Sequence, residues 1–415
     1  MVKAAAASLA IWLPFLASAC SAVGGPVLVE VLVPDPEGQG GVRLDDAELS
    51  SVIDLHKGTG ALFDIRGGME INALDADGIG SDFDDVVAQK RGTGGTDLMP
   101  RMSFDGTRYV ALDFETLTYF TLFENFEEAF QFASAIYGDD SGASGDKGIV
   151  ALFGSLQLAE GLPIPIVSSD NAAYVPLVDG WLALRTGIQD GVPFAMHRGV
   201  IAHEFGHRLF FHNAFIDNEG GFDVWRQRLD TELGAADVRA QTLLSGVDEG
   251  LADLFAIAAL GDKDAVNRAF AEAGGLFEGE ADRRDLEGEF ATVATYDNLA
   301  QLAVDTTFLE ACSLTAENFA GSFNFYCLGT VVAAALWDGS GRDLGVLRTE
   351  VGPAVVRALP RVGEVLVQGT LFDVDVLLEA IAATLGPGGR KDAVCAAFSA
   401  RFASLVAGGR VPSCL

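Results

Sequence analysis

The chain reads as an α+β protein: an N-terminal lobe mixing strands and helices around a mixed sheet, followed by a mainly α-helical lobe. Three observations predict this. Short β-branched and aromatic runs bounded by Gly, Asp and Ser recur through the first half. Glu124–Tyr137, lying among them, carries apolar residues at helical spacing. From Gly234 onward the texture changes to Ala- and Leu-rich helical runs. The expected division is a leader over residues 1–19, an α/β lobe over 20–215 that ends in a histidine-bearing helix, and a helical lobe over 216–415.

In order, Val27–Pro34 (VLVEVLVP) predicts the first strand, with Gly38–Gly41 as the loop after it. Asn72–Asp85 (NALDADGIGSDFDD) packs acidic and amide side chains around two glycines and reads as a solvated loop. Its alternating oxygens also offer a Ca²⁺ site, although the spacing misses the EF-hand loop and no bidentate Glu follows. Tyr109–Leu112 and Thr116–Leu122 predict strands, Glu124–Tyr137 a helix, and Ile149–Phe153, Ile164–Ser168 and Ala172–Val178 further strands. A helix beginning near Pro193 carries the sequence HEFGH. Beyond it, Val247–Leu260, Val331–Trp337, Val374–Leu385 and Lys391–Leu405 predict helices.

Composition narrows the function classes. Half the chain is apolar (49%), enough for substantial cores. The net charge of −32, from 59 acidic and 27 basic residues, argues against nucleic acid and anionic membrane surfaces as partners, because both require clustered Lys and Arg. The opening MVKAAAASLAIWLPFLASAC has one Lys, an apolar run too short to span a bilayer, and small residues before Cys20, the layout of an export signal. Leu16–Cys20 (LASAC) also resembles a bacterial lipobox, which makes Cys20 a candidate lipid anchor; ordinary cleavage after Ala17-Ser18-Ala19 is the alternative. Setting Cys20 aside leaves Cys312, Cys327, Cys395 and Cys414, and nearest-neighbour pairing gives Cys312–Cys327 and Cys395–Cys414 in an oxidising compartment.

The chemistry concentrates at HEFGH. His203 and His207 lie four residues apart and project from one face of a helix, so two imidazole nitrogens can reach one metal ion. Glu204 points to the neighbouring side, where its carboxylate can take a proton from a water that zinc has acidified. A catalytic zinc takes three protein ligands and leaves a fourth position open. The metzincin pattern is excluded, since Asn213 and Phe210 stand where it needs His and Gly. His197 and His212 remain candidates for the third ligand, although His212 lies about 140° round the helix from His207. The alternative is a carboxylate on a second helix, VDEGLADLFA, where Glu249 can ligate and Asp253, one turn later, can accept from the far nitrogen of a ligating His.

HEFGH followed by EGLAD resembles the gluzincin zinc metallopeptidases, nearest to the thermolysin and fungalysin type. The resemblance covers roughly residues 170–340. It implies a zincin-like fold for the first lobe, Zn²⁺ held by His203, His207 and Glu249, Glu204 as general base, and Asp253 orienting His203. Asp170–Tyr174 (DNAAY) resembles the edge strand that pairs with substrate in this group, implying that Asn171 and Ala172 bind a protein or peptide by strand addition. GTVVAAALWD is similar to the helix that closes the site. Two departures stand out. The 41 residues between His207 and Glu249 require an insertion over Asp217–Leu244, and no His follows His212, where this family places one to stabilise the oxyanion. Tyr326, in FYCLG, is the side chain there able to donate a strong hydrogen bond and is the candidate for that role. The expected function is an exported zinc-dependent endopeptidase. The alternatives are a zincin-fold surface lipoprotein that binds without turnover, and an aminopeptidase, for which Gly67–Asn72 (GGMEIN) only loosely resembles the GxMEN amine-binding loop.

Overall fold

The computed structural model describes residues 26–34, 42–66, 99–138, 147–153, 156–157, 167–168, 170–175, 180–185, 192–216, 235–273, 284–302, 313–315, 318–320 and 325–415. The export signal with Cys20, the acidic Asn72–Asp85 segment with its Ca²⁺ reading, the GGMEIN segment and Cys312 lie outside these residues.

The architecture is α+β. In the first sheet β1 (Val27–Pro34) pairs antiparallel with β2 (Val42–Leu49) over its whole length, from Val27↔Leu49 to Pro34↔Val42. On its other side β1 meets β7 (Tyr109–Ala111) in parallel, and β6 (Met102–Phe104) closes the sheet. The larger sheet adds β3 (Val52–Asp54), β4 (Thr59–Gly60), β5 (Phe63–Arg66), β8 (Gly148–Phe153), β11 (Asp170–Val175) and β12 (Gly180–Arg185) in the order β11-β12-β8-β5-β4-β3. Its centre, β12-β8-β5, is parallel and its flanks are antiparallel, so it is mixed as expected. The small strands β9 (Leu156–Gln157) and β10 (Val167–Ser168) pair with each other.

One expectation is overturned. Thr116–Leu122 is not a strand but the first turns of a 24-residue helix, α1 (Phe114–Tyr137). Asp113 caps it by accepting from the Thr116 amide at 2.8 Å, and the β-branched threonines that suggested a strand are occupied with hydrogen bonds. Thr118 bonds back to the Phe114 carbonyl, Thr121 accepts from Leu32 of β1, and Thr116 accepts from Arg101. These tertiary contacts outweigh the modest helix preference of Thr. Strand β12 and a helix at Gly352–Val367 have no counterpart in the sequence reading; the latter contains Pro360, which argues against a helix interior.

Two apolar cores meet at the middle of the chain. An aromatic column runs from Phe63 through Phe130 to Phe205 and on to Phe255, with Trp181 of β12 stacked against Phe205. It ties the sheet to α2 (Arg198–Phe211) and α3 (Ala235–Leu260). The second core holds α5 (Phe325–Gly339), α6 (Gly352–Val367), α7 (Asp375–Leu385) and α8 (Gly389–Arg401), after the shorter α4 (Ala265–Ala273). Helix α2 contributes Phe205 to the first core and Phe210 to the second, so the histidine motif sits where the two cores meet. The Cys395–Cys414 disulfide ties the chain terminus to α8, as nearest-neighbour pairing predicts.

Candidate metal centre

Helix α2 is buried nearly all round, which explains why its sequence reads as an apolar run interrupted by HEFGH. It lies beneath β11 and β12, held there by Trp181, whose indole N–H donates to the Glu204 backbone carbonyl at 3.1 Å. Helix α3 crosses α2 closely because Gly206 has no side chain; a Cβ there would stand 2.6 Å from the Ala252 Cα. On the other side of α3, Gly250 packs on the Gly329 backbone of α5, where a Cβ would stand 2.3 Å from a carbonyl oxygen. The three helices therefore meet backbone to backbone, and α3 is wedged between its neighbours at the level of Glu249.

This packing brings three donors together. Nε2 of His203 lies 3.1 Å from Nε2 of His207 and 3.3 Å from Glu249 Oε2, and His207 Nε2 lies 3.9 Å from Glu249 Oε1. Among the described residues this is the one group of three or more His, Cys, Asp or Glu side chains whose ligand atoms converge within 4.8 Å. The set is compatible with zinc: bonds of about 2.0–2.1 Å at tetrahedral angles put ligand atoms about 3.3 Å apart, close to the 3.1 and 3.3 Å at His203, with the His207–Glu249 pair wider at 3.9 Å, and two imidazoles with one carboxylate leave a fourth position open.

The surrounding charges are ordered. His203 Nδ1 is 2.7 Å from Asp253 Oδ1, a close ion-pair approach that lacks hydrogen-bond alignment, and Asp253 also accepts from Arg284 Nη1 at 2.7 Å. Arg284 reaches Glu249 Oε2 at 3.3 Å through Nη2, and its guanidinium lies between the Phe270 and Tyr326 rings. His207 Nδ1 is 2.9 Å from Asp248 Oδ1. Sequence reasoning missed both Asp248 and Arg284. The signal for Asp248 was its place directly before Glu249; Arg284 gave none, because its chain neighbours say nothing of a fold that returns it to α3.

Burial pulls the His207 imidazole down, but Asp248, Glu249 and Glu204 outweigh this and push it up to about 10. His203 is likewise raised against its burial, chiefly by Asp253. Burial pushes Glu249 up, yet hydrogen bonding from His203 and the charges of His207 and Arg284 pull it down to about 2. Burial raises Glu204, opposed by the two histidines.

Glu204 itself stands outside the converging trio. Its Oε2 accepts from the Tyr174 backbone N–H of β11 at 2.7 Å. Among the described residues β11 is the outer strand of its sheet, paired by Asn171↔Leu184 and Ala172↔Ala183. Antiparallel backbone groups alternate in direction, so with Tyr174 pointing away from β12 the backbone of Ala172 points away too, while Asn171 faces the ladder. Tyr326 opens α5 beside Arg284, and its hydroxyl is raised by the charge of Glu249 and then by burial. His197 and His212 do not join the cluster: His197 caps α2, with Nε2 3.1 Å from the Val192 carbonyl, and His212 begins the π turn after it. The third donor is Glu249 because α3 crosses the face of α2 that carries both histidines. Of the Asp217–Leu244 insertion, residues 235–244 form the start of α3. No protein-family model matches the chain and no curated protein matches it, so geometry alone defines this centre.

Proposed function

We propose that the protein is an exported, zinc-dependent endopeptidase of gluzincin type with a zincin-like first lobe, tethered by lipid at Cys20. The observation that carries this reading is Glu204: a buried carboxylate beside the three donors, held by a backbone amide of an outer strand and taking no part in the donor set. A purely structural metal site has no use for such a group.

A zinc ion held by His203, His207 and Glu249 supplies Lewis acidity and lowers the pKa of water toward neutrality. The remaining work falls to the chain. Glu204 accepts the proton of the attacking water and passes it to the leaving amine, a role worth about 10²–10⁴-fold in rate. The outward backbone of Ala172, beside Asn171 on β11, receives an extended peptide by strand addition and sets its register against Glu204. Arg284 holds Glu249 and Asp253 in place, and Tyr326 is the donor nearest in character to the missing histidine.

The absence of any His after His212 favours the second reading, a protein that binds zinc and peptides without turnover. Bound zinc and cleavage of unfolded casein by the wild type and Glu204→Gln separate the two. Near one zinc in each, with cleavage in the wild type alone, is expected. Zinc in both without cleavage favours the binding protein, and no zinc in either overturns the metal reading.

A further inference from the structure

We propose that the end of the first sheet at which β1 begins is a membrane-contacting face, where Phe104 and Ile53 enter the headgroup region of the zwitterionic bilayer that holds the lipid on Cys20. The inference rests on the lipid tether of the proposed function and concerns how the body is oriented above the membrane.

The topology places this face. Strands β1 and β7 run parallel with Val29 opposite Tyr109, and β6 runs antiparallel to β7 with Phe104 opposite Tyr109. The chain entering β1 at Val27 and the β6–β7 turn over Asp105–Arg108 therefore project from the same end of the sheet. Strand β2 finishes there too, with Leu49 opposite Val27, and Ile53 follows four residues later. Cys20 precedes Val27 by seven residues, a reach of about 25 Å at full extension. A lipid on Cys20 thus enters its bilayer close to this end.

The side chains suit a shallow contact. Phe104 is 58% exposed, with its ring 5.2 Å from that of Tyr109, and Ile53 is 51% exposed. Aromatic rings with one wet edge collect at membrane interfaces, and a second contact fixes the orientation that a single point of attachment leaves free. The turn between the two rings is held in shape: Asp105 accepts from the Thr107 and Arg108 amides at 2.9 and 3.0 Å, and Gly106 supplies φ 107°. Arg108 pairs with Glu30, Asp46 and Asp105, so one positive charge stands among three carboxylates. That excess of acid limits the contact to headgroup depth and disfavours anionic lipid. Leu112, 62% exposed, lies just past the opposite end of β7, about 10 Å along the strand from Tyr109. A body resting on the Phe104 end turns Leu112 away from the bilayer.

The test uses the full lipidated chain in phosphatidylcholine vesicles with brominated acyl chains, as wild type, Phe104→Trp and Leu112→Trp. Urea midpoints establish that the variants are folded. Over the wild-type background, the indole added at 104 is expected to emit further to the blue and to be quenched about twofold by bromine, and the indole at 112 to be quenched little. Equal quenching at the two positions, or more at 112, in a chain whose mass shows the lipid overturns this proposal alone. A blue shift at 104 that grows with protein concentration and is insensitive to bromine assigns the face to a protein partner, and overturns it as well. An exported chain that carries no lipid on Cys20 overturns the tether reading and this proposal with it.

Discussion

Replacing Gly206 by Ala tests whether the close crossing of α2 and α3 sets the metal geometry. The new Cβ would lie 2.6 Å from the Ala252 Cα and 3.1 Å from both its Cβ and its carbonyl oxygen. Two of these atoms are backbone, so no side-chain rotation relieves the contact, and the helices must separate by about 1 Å to restore ordinary contact distances. That separation acts directly between the imidazoles of α2 and the carboxylates of α3, now 3.3 Å apart at His203 and Glu249. Overpacking of this kind costs about 1–3 kcal/mol, against a gain of about 1 kcal/mol from Ala over Gly in a helix interior. The expected net effect on stability is a loss of up to about 2 kcal/mol, accompanied by at least a tenfold loss of zinc affinity. Urea unfolding without metal and chelator competition with it measure the two separately. Gly389→Ala, where a Cβ meets nothing within 4 Å, serves as the control. A Gly206→Ala protein that is more stable by about 1 kcal/mol, with unchanged zinc affinity, would refute the reasoning.

Three further outcomes are expected. Because the His207 imidazole is raised to about 10 in the metal-free protein, an ion must displace its proton, so zinc affinity should fall tenfold per pH unit per proton displaced as pH decreases below 10; calorimetry in buffers of different ionisation enthalpy counts the protons. His197 is lowered from 6.5 to about 4 by burial, against its contact with the Val192 carbonyl, so the unfolded chain binds the extra proton between these values. Its contribution is fully present above pH 6.5 and lost as pH falls through 4, by about 3 kcal/mol at most, and the wild type should lose more stability between pH 7 and 4.5 than His197→Asn does. Cys395 and Cys414 are 19 residues apart in sequence, and replacing both with Ser should cost about 2–4 kcal/mol while leaving zinc binding intact, since α8 lies away from α2 and α3.

The parts of this molecule that the sequence makes legible are those in which periodicity and chemistry coincide. HEFGH is an apolar helical stretch interrupted by two His and a Glu on one side, and EGLAD sets an acidic pair one turn apart on a second helix. The bringing together of His203, His207 and Glu249 follows from residues visible in the chain. Thr116–Leu122 misleads because its β-branched residues express a local preference, while the helix is fixed by Asp113 and by hydrogen bonds to β1 and Arg101, contacts that exist only once the sheet has formed. Arg284 is hidden for the same reason: 31 residues separate it from Asp253, and no local pattern announces the return. The glycines belong to an intermediate class. Gly206, Gly250 and Gly329 could be seen in helical runs, but whether each marks a weak spot or a close crossing is decided by the neighbouring helix.

The charge balance of the centre explains how so acidic a cluster can be buried. Glu204, Asp248, Glu249 and Asp253, when ionised, carry four negative charges against the single positive charge of Arg284. A proton shared between the facing Nε2 atoms of His203 and His207, 3.1 Å apart, reduces that deficit to two charges, and a dication bound to two neutral imidazoles would reduce it to one. The raised His203 and His207 follow from this: a proton on the imidazole pair offsets carboxylates that would otherwise repel one another in a poorly solvated site. Burial raises the Glu204 and Asp248 carboxyls, and Glu204 is the one held by strand β11. A buried carboxylate made more basic by its surroundings and held by a backbone amide is suited to accept a proton, as the proposed hydrolysis would require.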